Sequence, residues 1–108
     1  MAREIKYAEL SQNQLDFLRE YAPKDKSFTS SLEMKKIISK FGLDEGIDVE
    51  DMRAIRNSVV RFYFNLQRNL LIGGIENEKE LDRSMEALQS VTAVIDHQMY
   101  IINSFKFI

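Results

Sequence analysis

Cysteine is absent from this 108-residue chain, and histidine and proline occur once each. Without a thiol there is no disulfide, no thiolate zinc site and no cysteine nucleophile. The single histidine, His97, excludes any site that needs two imidazoles. Because one proline and four glycines are few helix breakers, the composition favours long helices.

Charge of one sign is also lacking, since 15 basic residues face 17 acidic ones and the formal net charge is −2. The chain as a whole is therefore not a polycation built for nucleic acid. Its length predicts one domain, residues 1–108. The longest charge-poor stretch, residues 87–95, is too short to span a bilayer, and no secretory signal is visible. We expect no membrane contact and, by default, a cytoplasmic location.

Two short helices are predicted in the N-terminal half. Ser11 and Gln14 form a capping-box pattern, and a helix over about 12–21 should follow. Ser30 and Glu33 repeat that pattern before a second helix over about 31–41. Gly42 is suited to the left-handed stop that ends such a helix.

Two long helices are predicted in the C-terminal half. Asp48 is the expected cap of a helix over about 49–72, which the Gly73–Gly74 pair should end. Asn77 is the expected cap of the last helix, over about 78–103. Because the linker is short, these helices should form an antiparallel hairpin. The predicted fold is all-α, a four-helix bundle-like domain with the two short helices packed on the long hairpin.

Both long helices carry two apolar stripes. In the last helix a heptad seam favours coiled-coil-like packing, and its members are Leu81, Met85, Leu88, Thr92, Ile95, Met99 and Ile102. A second stripe beside it consists of Ala87, Val91, Val94 and Ile101. In the third helix one stripe contains Met52, Ile55, Val59, Phe62, Leu66 and Leu70, and another contains Val60, Phe64 and Leu71. A helix that faces a single core needs only one stripe.

The excess of apolar surface predicts association with another chain, with a homodimer through the hairpin as the leading form. The expected interface residues are Val60, Phe64, Leu71, Val91, Val94 and Ile101, with Arg61 and Arg68 at the rim. In the opposing interpretation, the short helices cover all of these residues in a closed monomer. An apolar tail, Phe105, Phe107 and Ile108, is expected to dock on the bundle or on a partner.

Candidate chemistry is sparse. His97 has no second ligand at metal-binding spacing. The acidic stretch 44–51 fails the EF-hand pattern, because its sixth and twelfth positions would be Val49 and Ile55 rather than glycine and glutamate. Gly73–Gly74 lacks the lysine of a phosphate-binding loop. We therefore expect no catalytic residue, metal or cofactor, and no enzymatic activity.

The alternative function is a small nucleic-acid-binding regulator that uses the basic face of the second and third helices. Its expected contacts are Arg53, Arg56, Arg61, Lys35, Lys36 and Lys40. The acidic connection before the third helix opposes this reading, since it puts negative charge where phosphates would lie. In a third reading, these arginines form a solvated face that makes salt bridges to acids of the antiparallel last helix, such as Glu78, Glu80, Asp82 and Glu86.

The leading function is non-enzymatic protein–protein interaction through an apolar helical surface. An adaptor, an assembly subunit or an inhibitor would work in this way. Small size and the lack of a chemical site are also typical of accessory proteins of phages and other mobile elements.

Overall fold

The computed structural model describes residues 4–23 and 31–105, and these residues form an all-α bundle. Its helices are α1 (Gln12–Glu20), α2 (Ser31–Lys40), α3 (Val49–Gly73) and α4 (Glu78–Phe105). A single 3₁₀ turn, Ile75–Asn77, joins the two long helices. The described ranges contain no strand. The predicted fold class is confirmed, and each observed boundary lies within two residues of its prediction.

The first helix begins with the predicted capping box. The Ser11 hydroxyl accepts the Gln14 backbone N–H at 3.2 Å, and the Gln14 side chain accepts the Ser11 N–H at 2.9 Å. The helix ends one residue early because Tyr21 is already extended, with ψ at 127°. Pro23 disfavours helical backbone just before itself, so the chain leaves α1 at this point. The matching cap at Ser30 lies outside the described residues.

The second helix ends in a Schellman motif. Gly42 has a φ of +62°, a conformation that costs glycine little and other residues more. Its N–H donates to the Ser39 carbonyl, and the Leu43 N–H donates to the Ile38 carbonyl at 3.0 Å. These two bonds satisfy carbonyls that the end of a helix leaves open. Leu43 is thereby turned into the core, where it is 1% exposed.

The first helix of the hairpin begins with the predicted cap, and the turn between the two long helices contains a contact that was not predicted. The Asp48 side chain caps α3 by accepting the Asp51 N–H at 2.8 Å. Gly74, with a φ of +87°, follows the last residue of α3. At the start of α4, the Asn77 amide nitrogen donates back to the Leu70 carbonyl at 3.4 Å. The side chain thus ties the turn to the end of α3.

The core lies where α1 and α2 pack on the hairpin. The buried cluster draws on all four helices and the connection after α2, and it consists of Leu18, Ile37, Phe41, Leu43, Met52, Ile55, Val59, Tyr63, Ala87, Val91, Val94 and Ile95. Both α3 and α4 are continuous long helices, and the short helices α1 and α2 pack against the hairpin that they form.

An extended segment, residues 4–10, packs along α3 and was not predicted. The Ala8 N–H donates to the Ala54 carbonyl at 3.2 Å, and the Ser58 hydroxyl donates to the Ala8 carbonyl at 2.7 Å. The Asn57 amide also donates to the Lys6 carbonyl at 3.0 Å. The segment therefore covers a polar flank of α3. The predicted docking of the apolar tail falls outside the side chains that the structure describes.

Candidate interaction surface

The predicted interface residues of α3 lie at the surface. Phe64 is 60% exposed and Leu71 is 66% exposed, while Val60 is half-buried. Their spacing of four and seven residues keeps them on one side of the helix. In a closed monomer the N-terminal helices would enclose this stripe. Here they leave Phe64 and Leu71 exposed.

The predicted interface residues of α4 require a correction. Val91 is 0% exposed and Val94 is 2% exposed, because both belong to the core cluster that also contains Ile37 and Phe41 of α2. Ile101 is half-buried. These two residues of the second stripe therefore face the core, and assigning Val91 and Val94 to an outer interface was wrong.

The heptad seam of α4 also faces the core for the most part. Ile95 belongs to the buried cluster, and Leu88, Met99 and Ile102 are half-buried against it. Met85 departs from the pattern, since its side chain is 46% exposed. Met85 was predicted to lie in the packed seam, so its exposure was not expected.

An ion pair shows which sides of α3 and α4 are adjacent. The Arg56 Nε lies 2.7 Å from the Asp96 Oδ1. This ion pair joins α3 and α4 in the half of the hairpin that is remote from the turn. Helical periodicity carries the side marked by Arg56 along α3 to Val60 and Leu71. It carries the side marked by Asp96 back along α4 to Met85, three turns earlier. We call Val60, Phe64, Leu71 and Met85 the hairpin face.

Two further exposed apolar side chains lie at the turn. Ile72 and Ile75 are among the most exposed large hydrophobic residues of the described chain. Neither residue was predicted to lie at an interface. Their exposure could have been predicted from their position beside Gly73–Gly74, because residues at a tight turn between helices have few neighbours to cover them.

The arginines of α3 mostly have partners within the chain. Arg53 pairs with Glu50 at 3.0 Å, and the Arg61 guanidinium lies 4.1 Å from the centre of the Tyr7 ring. With the Arg56–Asp96 pair, three arginines of the nucleic-acid alternative are therefore engaged. The Arg56–Asp96 pair reaches the antiparallel last helix, as the salt-bridge reading predicted, whereas the Arg53–Glu50 pair lies within α3.

The lysines of the same alternative lie on α2. Lys35, Lys36 and Lys40 are exposed and line a groove against α1. The Lys40 ammonium group lies 5.6 Å from the centre of the Phe17 ring. The structure thus divides the six predicted nucleic-acid contacts into partnered arginines on α3 and exposed lysines on α2.

Two tyrosines next to α1 have displaced pKa values. Burial, helped by the negative charge of Glu33, raises the pKa of Tyr21 to about 12. Burial also raises the pKa of Tyr63 well above its usual range, with a smaller contribution from Tyr21. Both flank a crevice of about 240 Å³, whose floor includes Leu18, Leu66 and Leu70. Both hydroxyls stay protonated at neutral pH, which suits structural roles.

Comparison with known proteins identified no relative of this chain. No protein-family model matches the chain, and no significant match was found among curated proteins or solved structures. Among the described residues, no helix has the length and apolar character needed to cross a membrane. The same residues contain no group of three acidic or imidazole side chains placed to hold a metal ion.

Proposed function

We propose that this protein is a non-enzymatic interaction module that binds another protein chain through the hairpin face. Single exposed hydrophobic residues are common on protein surfaces and need no explanation. A contiguous exposed set is different, because it marks sites where another surface excludes water. The observation that carries the proposal is the exposure of Phe64 and Leu71 on one side of α3.

The surroundings of the hairpin face also fit an interface. Met85 on α4 and Ile72 and Ile75 beside the turn are further exposed apolar side chains. Arg68 is exposed one turn from Phe64, and arginine is common at protein interfaces because it combines an apolar stem with several donors. An apolar centre with a polar rim is the usual anatomy of such a surface.

A second copy of the chain is our leading partner. Arg68 is exposed on α3, whereas acidic residues outnumber basic ones at the start of α4, residues 78–83. A two-fold axis at the hairpin face can set α3 of one protomer beside α4 of its partner, which brings opposite charges together. The result would be a homodimer built from two hairpins. Adaptor, assembly and inhibitor roles all need such a surface.

Nucleic-acid binding has weaker support. It was predicted to use arginines and lysines together, but Arg53, Arg56 and Arg61 already contact groups within the chain. Phosphate contacts by Arg53 or Arg56 would have to compete with carboxylates that those arginines already pair with.

A photo-crosslinking amino acid placed at position 64 tests the proposal directly. We expect irradiation of the protein in its source cell to give a discrete adduct, because Phe64 would lie at the centre of the interface. An adduct of twice the chain's mass identifies a second copy, and any other discrete mass identifies a foreign protein.

The matched control carries the same group at Asp44, which is exposed in the connection between α2 and α3. Position 44 should give no discrete adduct. Equal labelling at the two positions, or no labelling at position 64, would contradict the proposed function.

A further inference from the structure

A shallow groove of about 730 Å³ runs between α1 and α2 and shares no residue with the hairpin face. Its lining is cationic or polar apart from two apolar side chains. The lining residues are Ser11, Asn13, Gln14, Phe17, Leu32, Lys35, Lys36, Ser39 and Lys40.

The charge of the groove differs in sign from that of the chain. Three exposed lysines line it and, among the described residues, no carboxylate does, although the chain as a whole has a net charge of −2. Glu33, the one carboxylate of α2, is half-buried and does not line the groove. Positive potential is therefore concentrated here, where it can attract an anionic group.

Contacts between the two helices hold the groove in shape. The Gln14 side-chain nitrogen donates to the Lys40 carbonyl at 3.0 Å. The Phe17 ring meets the buried Phe41 ring edge-on, with 6.1 Å between their centres. Because both walls are already joined, a ligand need not order them, and the entropic cost of binding is lower.

The apolar side chains favour a protein ligand over a nucleic acid. Leu32 is 65% exposed at the groove and offers contact to an apolar side chain. Phe17 is a poor platform for a base, since its ring already contacts Lys40, Tyr21 and Phe41. Single-stranded nucleic acids usually need open aromatic faces for stacking. The amide and hydroxyl groups of Asn13 and Ser39 can instead bond a peptide backbone.

We propose that this groove binds an acidic protein segment that carries an apolar anchor residue. The carboxylates of the segment lie against Lys35, Lys36 and Lys40, and the anchor packs on Leu32. The groove is a second binding site, independent of the hairpin face, so the protein can hold two partners at once.

Fluorescence anisotropy with a labelled polyglutamate peptide that has a central leucine tests this site. Replacing Lys36 and Lys40 together by glutamate should weaken binding at least about tenfold, because attraction becomes repulsion. Leu32→Ser should weaken binding of this peptide but not of a peptide with serine in place of the leucine. Both changes are at exposed positions, and circular dichroism checks that the helices remain.

The control variant reverses Lys6 and Lys79, which changes the net charge equally but lies outside the groove. Its affinity should stay within about twofold of the unmutated protein. An equal loss in this control would overturn the proposal, because binding would then follow net charge alone. So would the absence of peptide binding, or tighter binding of a single-stranded oligonucleotide of equal length. None of these results bears on the hairpin face.

Discussion

The buried hydroxyl of Tyr63 completes the end of α1. The last carbonyls of a helix have no partner within it, and α1 lacks a glycine stop. Tyr63 reaches from α3 and donates to the Leu18 carbonyl at 2.7 Å, with both residues 1% exposed. One side chain thereby satisfies a helix end and joins α1 to the hairpin.

We expect Tyr63→Phe to lower the free energy of unfolding by about 1–2 kcal/mol, because it leaves a buried carbonyl without a donor. Urea denaturation followed by circular dichroism measures this change.

Tyr21→Phe is the matched control for that substitution. The Tyr21 hydroxyl is buried and has no hydrogen-bond partner in the described part of the chain. Its removal should cost little stability or none, since nothing is left unsatisfied. Equal stability of the Tyr63 variant and the unmutated protein would refute the role given to this hydroxyl.

Helix ends were the most predictable elements. The caps at Ser11, Asp48 and Gly42 depend on interactions within a few residues, so their sequence patterns were sufficient. The segment 4–10 was not predicted because its bonds to Asn57 and Ser58 join residues about fifty positions apart.

The orientation of α4 was the main error at this scale. Both of its apolar stripes have helical spacing, so periodicity alone could not say which of their residues face the core. Both stripes contribute to it: Ile95 of the seam lies in the same buried cluster as Ala87, Val91 and Val94, while Met85 of the seam is exposed. That packing is long-range and leaves no local signal.

Gly42→Ala tests the Schellman end of α2. The positive φ of Gly42 is unfavourable for alanine, so the change should cost about 1 kcal/mol of stability. Thermal unfolding measures the loss. Ser39→Ala, at an exposed site in the same helix, serves as the control and should be near neutral. A stability gain in the Gly42 variant would contradict this description of the helix end.

At the scale of the whole molecule, the sequence predicted part of the core correctly and assigned two core residues to the surface. The hairpin and the exposure of Phe64 and Leu71 follow the sequence prediction, while Val91 and Val94 belong to the core. Aspartate at these positions should therefore have opposite effects on the fold. Val94→Asp buries a charge and should unfold the chain, whereas Phe64→Asp should leave it helical.

Sedimentation velocity across a dilution series tests the central claim most directly. The hairpin face predicts that the unmutated protein associates with itself and that Phe64→Asp sediments as a folded monomer. A reversible shift toward monomer on dilution of the unmutated protein would fit the same surface. Self-association that persists unchanged in Phe64→Asp, or an unmutated protein that is monomeric at every concentration, would contradict a homodimer formed through this face.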